Sequence, residues 1–205
     1  MSKLNDFDKE LIGFFGEEKF QIIANTKIGI AGCGGLGSNC AAFLVRSGFR
    51  KIKVVDFDEV EYSNLNRQFY FYDQKGQGKA GALKDNLKKI NPSTSVEFLT
   101  ERIEKDNVEK IFLDCSIVVE AFDKAEYKSL IVSSLIAEKE LIVSASGLCG
   151  VGSSDEIVTR RIKNNLVVVG DFVTDVESAP PFAPRVAIAA AKQADIILEY
   201  VLGKK

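Results

Sequence analysis

Apolar residues fall into short blocks along this chain, and the spacing of the blocks alternates between two periods. Ile28-Gly29-Ile30-Ala31 is a compact run ended by glycine, and Ile52-Lys53-Val54-Val55 is a second one ended by Asp56. Runs of this length bounded by turn formers predict buried strands. Val96 to Leu99, Ile117 to Val119 and Leu141 to Ser144 have the same character. Between them, Ala41, Ala42, Leu44 and Val45 mark a helix over Ser38 to Arg46, and Ala82, Leu83, Leu87 and Ile90 mark one over Gly78 to Ile90. Asn91-Pro92 stops the latter, because the residue before a proline is pushed out of the helical region. Further helices are predicted near Lys105 to Phe112 and Lys124 to Ala137. This alternation argues for an α/β protein built on a doubly wound, mainly parallel sheet. The last third changes character: Glu156 to Arg160 and Leu166 to Val169 are close enough to pair antiparallel, and a long alanine-rich helix covers Arg185 to Leu202. Leu4 to Ile23 predicts a helical arm ahead of the core. The expectation is one domain over 1–205, with an arm over 1–25, a Rossmann-like core over 26–145, and C-terminal strands and helix over 146–205.

The chemistry starts at the end of the first strand. Gly32-Cys33-Gly34-Gly35-Leu36-Gly37 delivers the chain to a helix N-terminus, where free backbone N–H groups and the helix dipole favour an anion. Gly34, Gly35 and Gly37 are the expected phosphate cradle, since glycine lets a phosphate approach the backbone. A glycine-punctuated turn that holds no phosphate remains the plain alternative. Asp56 lies about twenty residues further on, where the Rossmann pattern puts an acid on ribose hydroxyls. So far a nicotinamide dehydrogenase fits as well. The segment Asp58 to Gln68 does not fit one: it packs Asn64, Arg67 and Gln68 into a short loop, and Lys79 then opens the next helix.

With 205 residues, 46% of them hydrophobic, the chain can bury a full core. Its formal net charge of -2 supplies no global basic field of the kind a general nucleic-acid binder uses. The absence of a leader pattern and of about 18 consecutive apolar residues predicts a cytoplasmic protein with no membrane span. Cys33, Cys40, Cys115 and Cys149 form no CxxC pair, so they are read as reduced structural thiols and no zinc is expected. Cys149, in a glycine-flanked turn, is the one outside candidate for reactivity. There is no histidine, which excludes Ser-His, Cys-His and histidine-metal chemistry.

GCGGLG (Gly32 to Gly37), DFDEVEYSNLNRQ (Asp56 to Gln68), GKA (Gly78 to Ala80), INP (Ile90 to Pro92) and EAFDKAEYK (Glu120 to Lys128) stand in an order and spacing that resemble the ThiF, MoeB and ubiquitin-activating-enzyme superfamily. The tail segments SGLCG, RRIKNN, GDFV and APRVAIAAAKQA look most like the compact ThiF-type adenylyltransferases of bacterial thiamine biosynthesis. The resemblance implies ATP-dependent adenylation of the C-terminal glycine of a small ubiquitin-fold sulfur carrier protein (ThiS-like), with pyrophosphate released. It implies that Asn64, Arg67, Gln68 and Lys79 bind ATP beside the glycines and Asp56, that Arg67, Lys79 and Asp123 are catalytic, and that Asp123 holds Mg²⁺. An ordinary helix cap is the plain alternative for Asp123, a solvated surface charge for Arg67 and Lys79, and a loop hydrogen bond for Gln68.

The resemblance also implies a homodimer, and in some relatives an N-terminal arginine from the neighbouring subunit touches the γ-phosphate. This chain has no arginine before Arg46, leaving Lys9 or Lys19 as substitutes. The superfamily's Asp-Asn pair appears as Asp123-Lys124 and its following arginine as Lys128. The candidate crossover, Asp171 to Arg185, contains three prolines and no cysteine, which speaks against thioester or persulfide chemistry there. Adenylation needs no general base, because a terminal carboxylate is ionised near neutral pH. The rival readings are a related enzyme acting on a molybdopterin carrier or a tRNA-bound carboxylate, an NAD-dependent oxidoreductase, and a non-catalytic carrier-binding scaffold.

Overall fold

The computed structural model describes residues 4–175 and 177–203. The first three residues of the expected arm and position 176 of the crossover lie outside them. In chain order the elements are α1 (Asp6–Phe15), α2 (Glu17–Asn25), β1 (Lys27–Ala31), α3 (Gly35–Arg46), β2 (Lys51–Val55), α4 (Lys79–Ile90), β3 (Ser95–Leu99), α5 (Val108–Ile111), β4 (Ile117–Glu120), α6 (Ala125–Leu135), β5 (Leu141–Ala145), β6 (Val158–Lys163), β7 (Leu166–Gly170) and α7 (Ala183–Gly203).

The strands form one sheet in the order β3-β2-β1-β4-β5-β7-β6. All pairs are parallel except β6 with β7, so the predicted doubly wound sheet with an antiparallel extension is what the chain adopts. Side chains alternate across the strands and build two cores. Ile28 and Ile30 of β1, with Val54, Val119 and Val143, pack under α3, α4 and α7. Ala31, Val55, Val118 and Ile142 face α5 and α6. Strand order reverses at β1, whose neighbours are β2 and β4, and open α/β sheets bind ligands beyond the carboxyl ends of the strands at such a point.

Most boundaries shift by one to three residues from the sequence expectation, β6 running over Val158–Lys163 in place of Glu156 to Arg160, and four differences bear on the site or its supports. The arm is two helices, broken where Gly16 takes φ 79° and ends α1. α3 starts at Gly35, three residues earlier than predicted, so Gly35 and Gly37 are helical. α5 has four residues, because Asn107 holds the preceding turn by accepting from the Glu104 amide and donating to the Arg102 carbonyl. β4 runs one residue further and carries Glu120 to its end.

The arm is tied down by polar contacts. Asp8, fully buried, accepts from Asn91 Nδ2 at 3.0 Å and from the Asn5 amide at 3.0 Å, and Asn5 Nδ2 donates to Asn91 Oδ1 at 2.7 Å. The INP segment thus anchors α1 as well as ending α4.

Candidate active site

A cleft of about 780 Å³ opens beyond the carboxyl ends of β1, β2, β4 and β5. Gly34, Gly35, Asp56, Asn64, Arg67, Gln68, Lys79 and Asp123 all contribute to its wall. Residues predicted from separate motifs therefore meet in one space. Gly37 does not line it. A Cβ on Gly37 would stand 1.9 Å from the Gly32 carbonyl oxygen, so glycine is required there for the close crossing of helix on turn.

The floor of the cleft is the N-terminus of α3. Gly34 caps the helix with extended backbone and no side-chain bond, which leaves the first N–H groups of α3 to a ligand. The loop carrying Arg67 is strapped across this helix by α3's own polar residues. Ser38 Oγ accepts from the Phe69 amide at 2.9 Å, and Asn39 Nδ2 donates to the Arg67 carbonyl at 2.7 Å. Tyr70 adds a third tie by donating its hydroxyl to the Cys33 carbonyl at 2.8 Å. Arg67 Nη1 donates to the Ser63 carbonyl at 3.1 Å and to Asn66 Oδ1 at 2.7 Å, so the guanidinium is oriented from its own loop. Ser38, Asn39 and Tyr70 carry no signal in the sequence, since nothing local announces a bond across 31 or 28 positions.

Asp56 is buried at the end of β2 and accepts from the amides of Cys33 at 2.6 Å and Asp58 at 2.8 Å. Burial pushes its carboxyl above the ordinary range, and those two amides and nearby Lys79 oppose the rise. It locks the glycine turn to the following loop while lying in the cleft wall. Lys79, the first residue of α4 and buried, points its ammonium at Asp58, 2.9 Å away. Asn64 Oδ1 accepts from the Glu61 amide at 3.0 Å. Gln68 is buried with its Oε1 unpartnered. An orphaned acceptor in a cleft wall is costly unless a ligand or solvent donor meets it, which fits a group with hydroxyl or amine hydrogens.

Asp123 is exposed in the turn between β4 and α6, and among the described residues it makes no hydrogen bond or ion pair. It does not cap α6: the N-cap position is Lys124, without a side-chain bond. An unpaired, solvent-facing carboxylate at the cleft wall suits Mg²⁺, which keeps most of its waters and takes one or two protein oxygens. Among the described residues no three His, Cys, Asp or Glu side chains cluster as a metal cage, and no helix is long and apolar enough to cross a membrane.

On the opposite side, where Cys149, Thr174 and Pro181 line the cleft, the wall is backed by pairs distant in sequence. Arg185 of α7, buried, pairs with Asp171 at 2.5 Å and donates to the Ser153 carbonyl at 2.9 Å. Burial raises the Asp171 carboxyl, but bonds from the Thr174 and Val173 amides, the Thr174 hydroxyl and the charge of Arg185 hold it below its usual range. Thr174 Oγ1 in turn accepts from the Cys149 amide at 3.0 Å, and Cys149 bridges to Pro181. The crossover is thereby pinned along the cleft. Burial pushes the Cys149 thiol up, so it is a poor nucleophile as it stands.

The model of the ThiF family matches residues 7–205. Among relatives, the tRNA threonylcarbamoyladenosine dehydratase of Escherichia coli K12 is 30% identical over 138 residues, covering 66% of this chain and 52% of that protein. The sulfur carrier protein ThiS adenylyltransferase of Bacillus subtilis 168 is 34% identical over 145 residues, covering 69% of this chain and 41% of that protein. The chain thus spans about half or less of the length of these curated relatives. The crystal structure of the E. coli dehydratase in complex with AMP shares the fold at a TM-score of 0.86 and 21% identity, over 96% of this chain and 94% of that one. The same enzyme in complex with ATP matches at 0.82 and 21%, over 98% and 96%. With the family's model running from the first helix through α7, the chain belongs to the ThiF family.

Proposed function

We propose that this chain is an ATP-dependent adenylating enzyme acting on the C-terminal glycine carboxylate of a small ubiquitin-fold sulfur carrier of the ThiS type, in thiamine thiazole formation. The observation that carries this reading is the convergence of Arg67, Lys79 and Asp123 on the helix N-terminus behind Gly34, three charges that a dinucleotide site or a bare scaffold does not need. Solved relatives of this fold hold AMP and ATP.

In this reading the α3 N–H groups and Gly34 receive phosphate oxygens, Asp56 meets the ribose, and Arg67 and Lys79 face the β- and γ-phosphates. Bound Mg²⁺ would supply further charge neutralisation, with Asp123 as its protein oxygen. A carboxylate oxygen forms a bond to the α-phosphorus, and the bond to pyrophosphate breaks with its electron pair leaving on the pyrophosphate. Negative charge moves toward the leaving group, where fixed cations offset it. No proton is transferred, which agrees with a cleft that has no histidine. Positioning and charge supply the catalysis. Homodimerisation belongs to the same proposal.

A second reading, adenylation of a carboxylate carried on tRNA, is favoured by the fold match that spans nearly all of both chains. Intact-mass spectrometry after incubation with Mg-ATP separates the two. Addition of AMP to a carrier ending in Gly-Gly supports the first, and conversion of a tRNA pool with no carrier adduct replaces it by the second.

A further inference from the structure

Glu120 closes β4 in full burial and takes two short bonds, 2.5 Å from Ser144 Oγ and 2.7 Å from the Phe122 amide. Lys128, on α6, reaches back to both of its oxygens at 3.4 and 3.3 Å. Charge-assisted bonds of this kind normally run to about 2.7–2.9 Å, so the ammonium is tethered without being saturated. It has three donors, its side chain is 23% exposed, and Lys128 lines the cleft.

The placement divides the cleft's cations. Arg67, Lys79 and Arg102 come from the β2–β3 side of the glycine turn, whereas Lys124 and Lys128 stand on the β4 side, and of these two Lys128 is the one whose ammonium is held by an ion pair among the described residues. Acyl adenylation must bring two anions together, the carboxylate nucleophile and the α-phosphate. At about 4 Å such a pair repels strongly even at an intermediate dielectric. Cations committed to the departing pyrophosphate do not relieve that repulsion, and a cation on the opposite side does.

We propose that Lys128 receives the carboxylate of the acyl substrate, with Glu120 and Ser144 as positioning residues that hold its ammonium in the cleft. This rests on the adenylation reading. Lys128 serves to orient one oxygen of the carboxylate toward the α-phosphorus.

The test is ATP–pyrophosphate exchange driven by three probes: a purified carrier ending in Gly-Gly, a synthetic peptide with that C-terminus, and the nucleoside N6-threonylcarbamoyladenosine. ATP affinity is measured alongside by calorimetry. Losing one charge-assisted contact, Lys128→Met is expected to raise the KM for the active carboxylate about thirty-fold while ATP affinity stays within about two-fold, and Lys128→Arg recovers most of the loss. Glu120→Gln moves KM in the same direction with kcat little changed, a split that general loosening of the fold would not produce. Should Lys128→Met lose its cooperative thermal transition, Lys128→Gln replaces it. An unchanged KM in a folded variant, with the wild type active, overturns the Lys128 assignment alone. No exchange by the wild type with any probe overturns the adenylation reading and this proposal together.

Discussion

The ammonium of Lys79 lies 2.9 Å from a carboxylate oxygen of Asp58, and the amide of Asp58 is itself held by Asp56. The cation proposed for the phosphates is therefore held in place by an acid of the loop that follows β2. Lys79→Met should fold and lose exchange by about 100-fold or more, as expected for a cation aimed at charge that develops in the transition state. Asp58→Asn should retain the reaction with weaker dependence on Lys79 geometry, seen as a much smaller loss in the same assay. Equal losses in the two variants would mean that the pair is structural.

Gly37 and Gly13 make opposite demands. A Cβ at Gly37 meets the Gly32 carbonyl, which the glycine turn holds in place, so Gly37→Ala should lower stability by about 1–3 kcal/mol. Gly13 sits inside α1 with open space where a methyl group would go, and Gly13→Ala should add about 0.5–1 kcal/mol. Denaturant melts of the two variants read both signs.

Across β1, β2 and β3, Lys53 bonds Asp114 at 2.6 Å and Glu97 at 3.1 Å, and Lys27 bonds Glu97 at 2.6 Å and also pairs with Asp114. Burial raises the Asp114 carboxyl, but bonds from Lys27 and Lys53 outweigh it and hold the group well below its usual range. A depressed folded value means that the stabilisation is complete above the unfolded value near 3.8 and is lost as pH falls through the folded one. Asp114 is half exposed, so after solvent screening Asp114→Asn should cost only about 1 kcal/mol at neutral pH. The wild-type advantage should be complete above about pH 4 and decline progressively as pH falls below it. A difference that vanished already near pH 5 would remove this cluster as its source.

All four cysteines are buried. Burial pushes the Cys33 thiol far up and the Cys115 thiol up to about 12, with Asp114 adding to the latter. Thiol titration of the folded protein at pH 8 should be slow, with all four groups released on unfolding, and Cys149→Ala should retain adenylation. Rapid labelling of Cys149, or loss of activity on its removal, would bring sulfur chemistry back to the cleft.

Much of this architecture is legible in the sequence because it is written in local pattern. The apolar runs around Ile30 and Val54 point to buried strands, and the glycine turn, Asp56 and the Asn64 to Lys79 segment each carry their chemistry within a few residues. What escapes is non-local. The apolar pattern ends β4 at Val119 and so leaves Glu120 out, while its partners Ser144 and Lys128 lie 24 and 8 positions away. Arg185 meets Asp171 across the crossover, where composition says loop and only folding supplies the pair. The start of α3 is displaced from its predicted place because glycines 35 and 37 argue against helix, a propensity overridden by the tight packing of Gly37 on the turn.

The adenylation reading stands or falls on magnesium-dependent ATP–pyrophosphate exchange by the wild type and by Asp123→Asn, with a Gly-Gly carrier present or omitted. Exchange is expected only when carrier and magnesium are both present, and it should collapse in Asp123→Asn with ATP still bound. Exchange that survives in Asp123→Asn, or that proceeds without any carboxylate substrate, would contradict the assignment of this cleft.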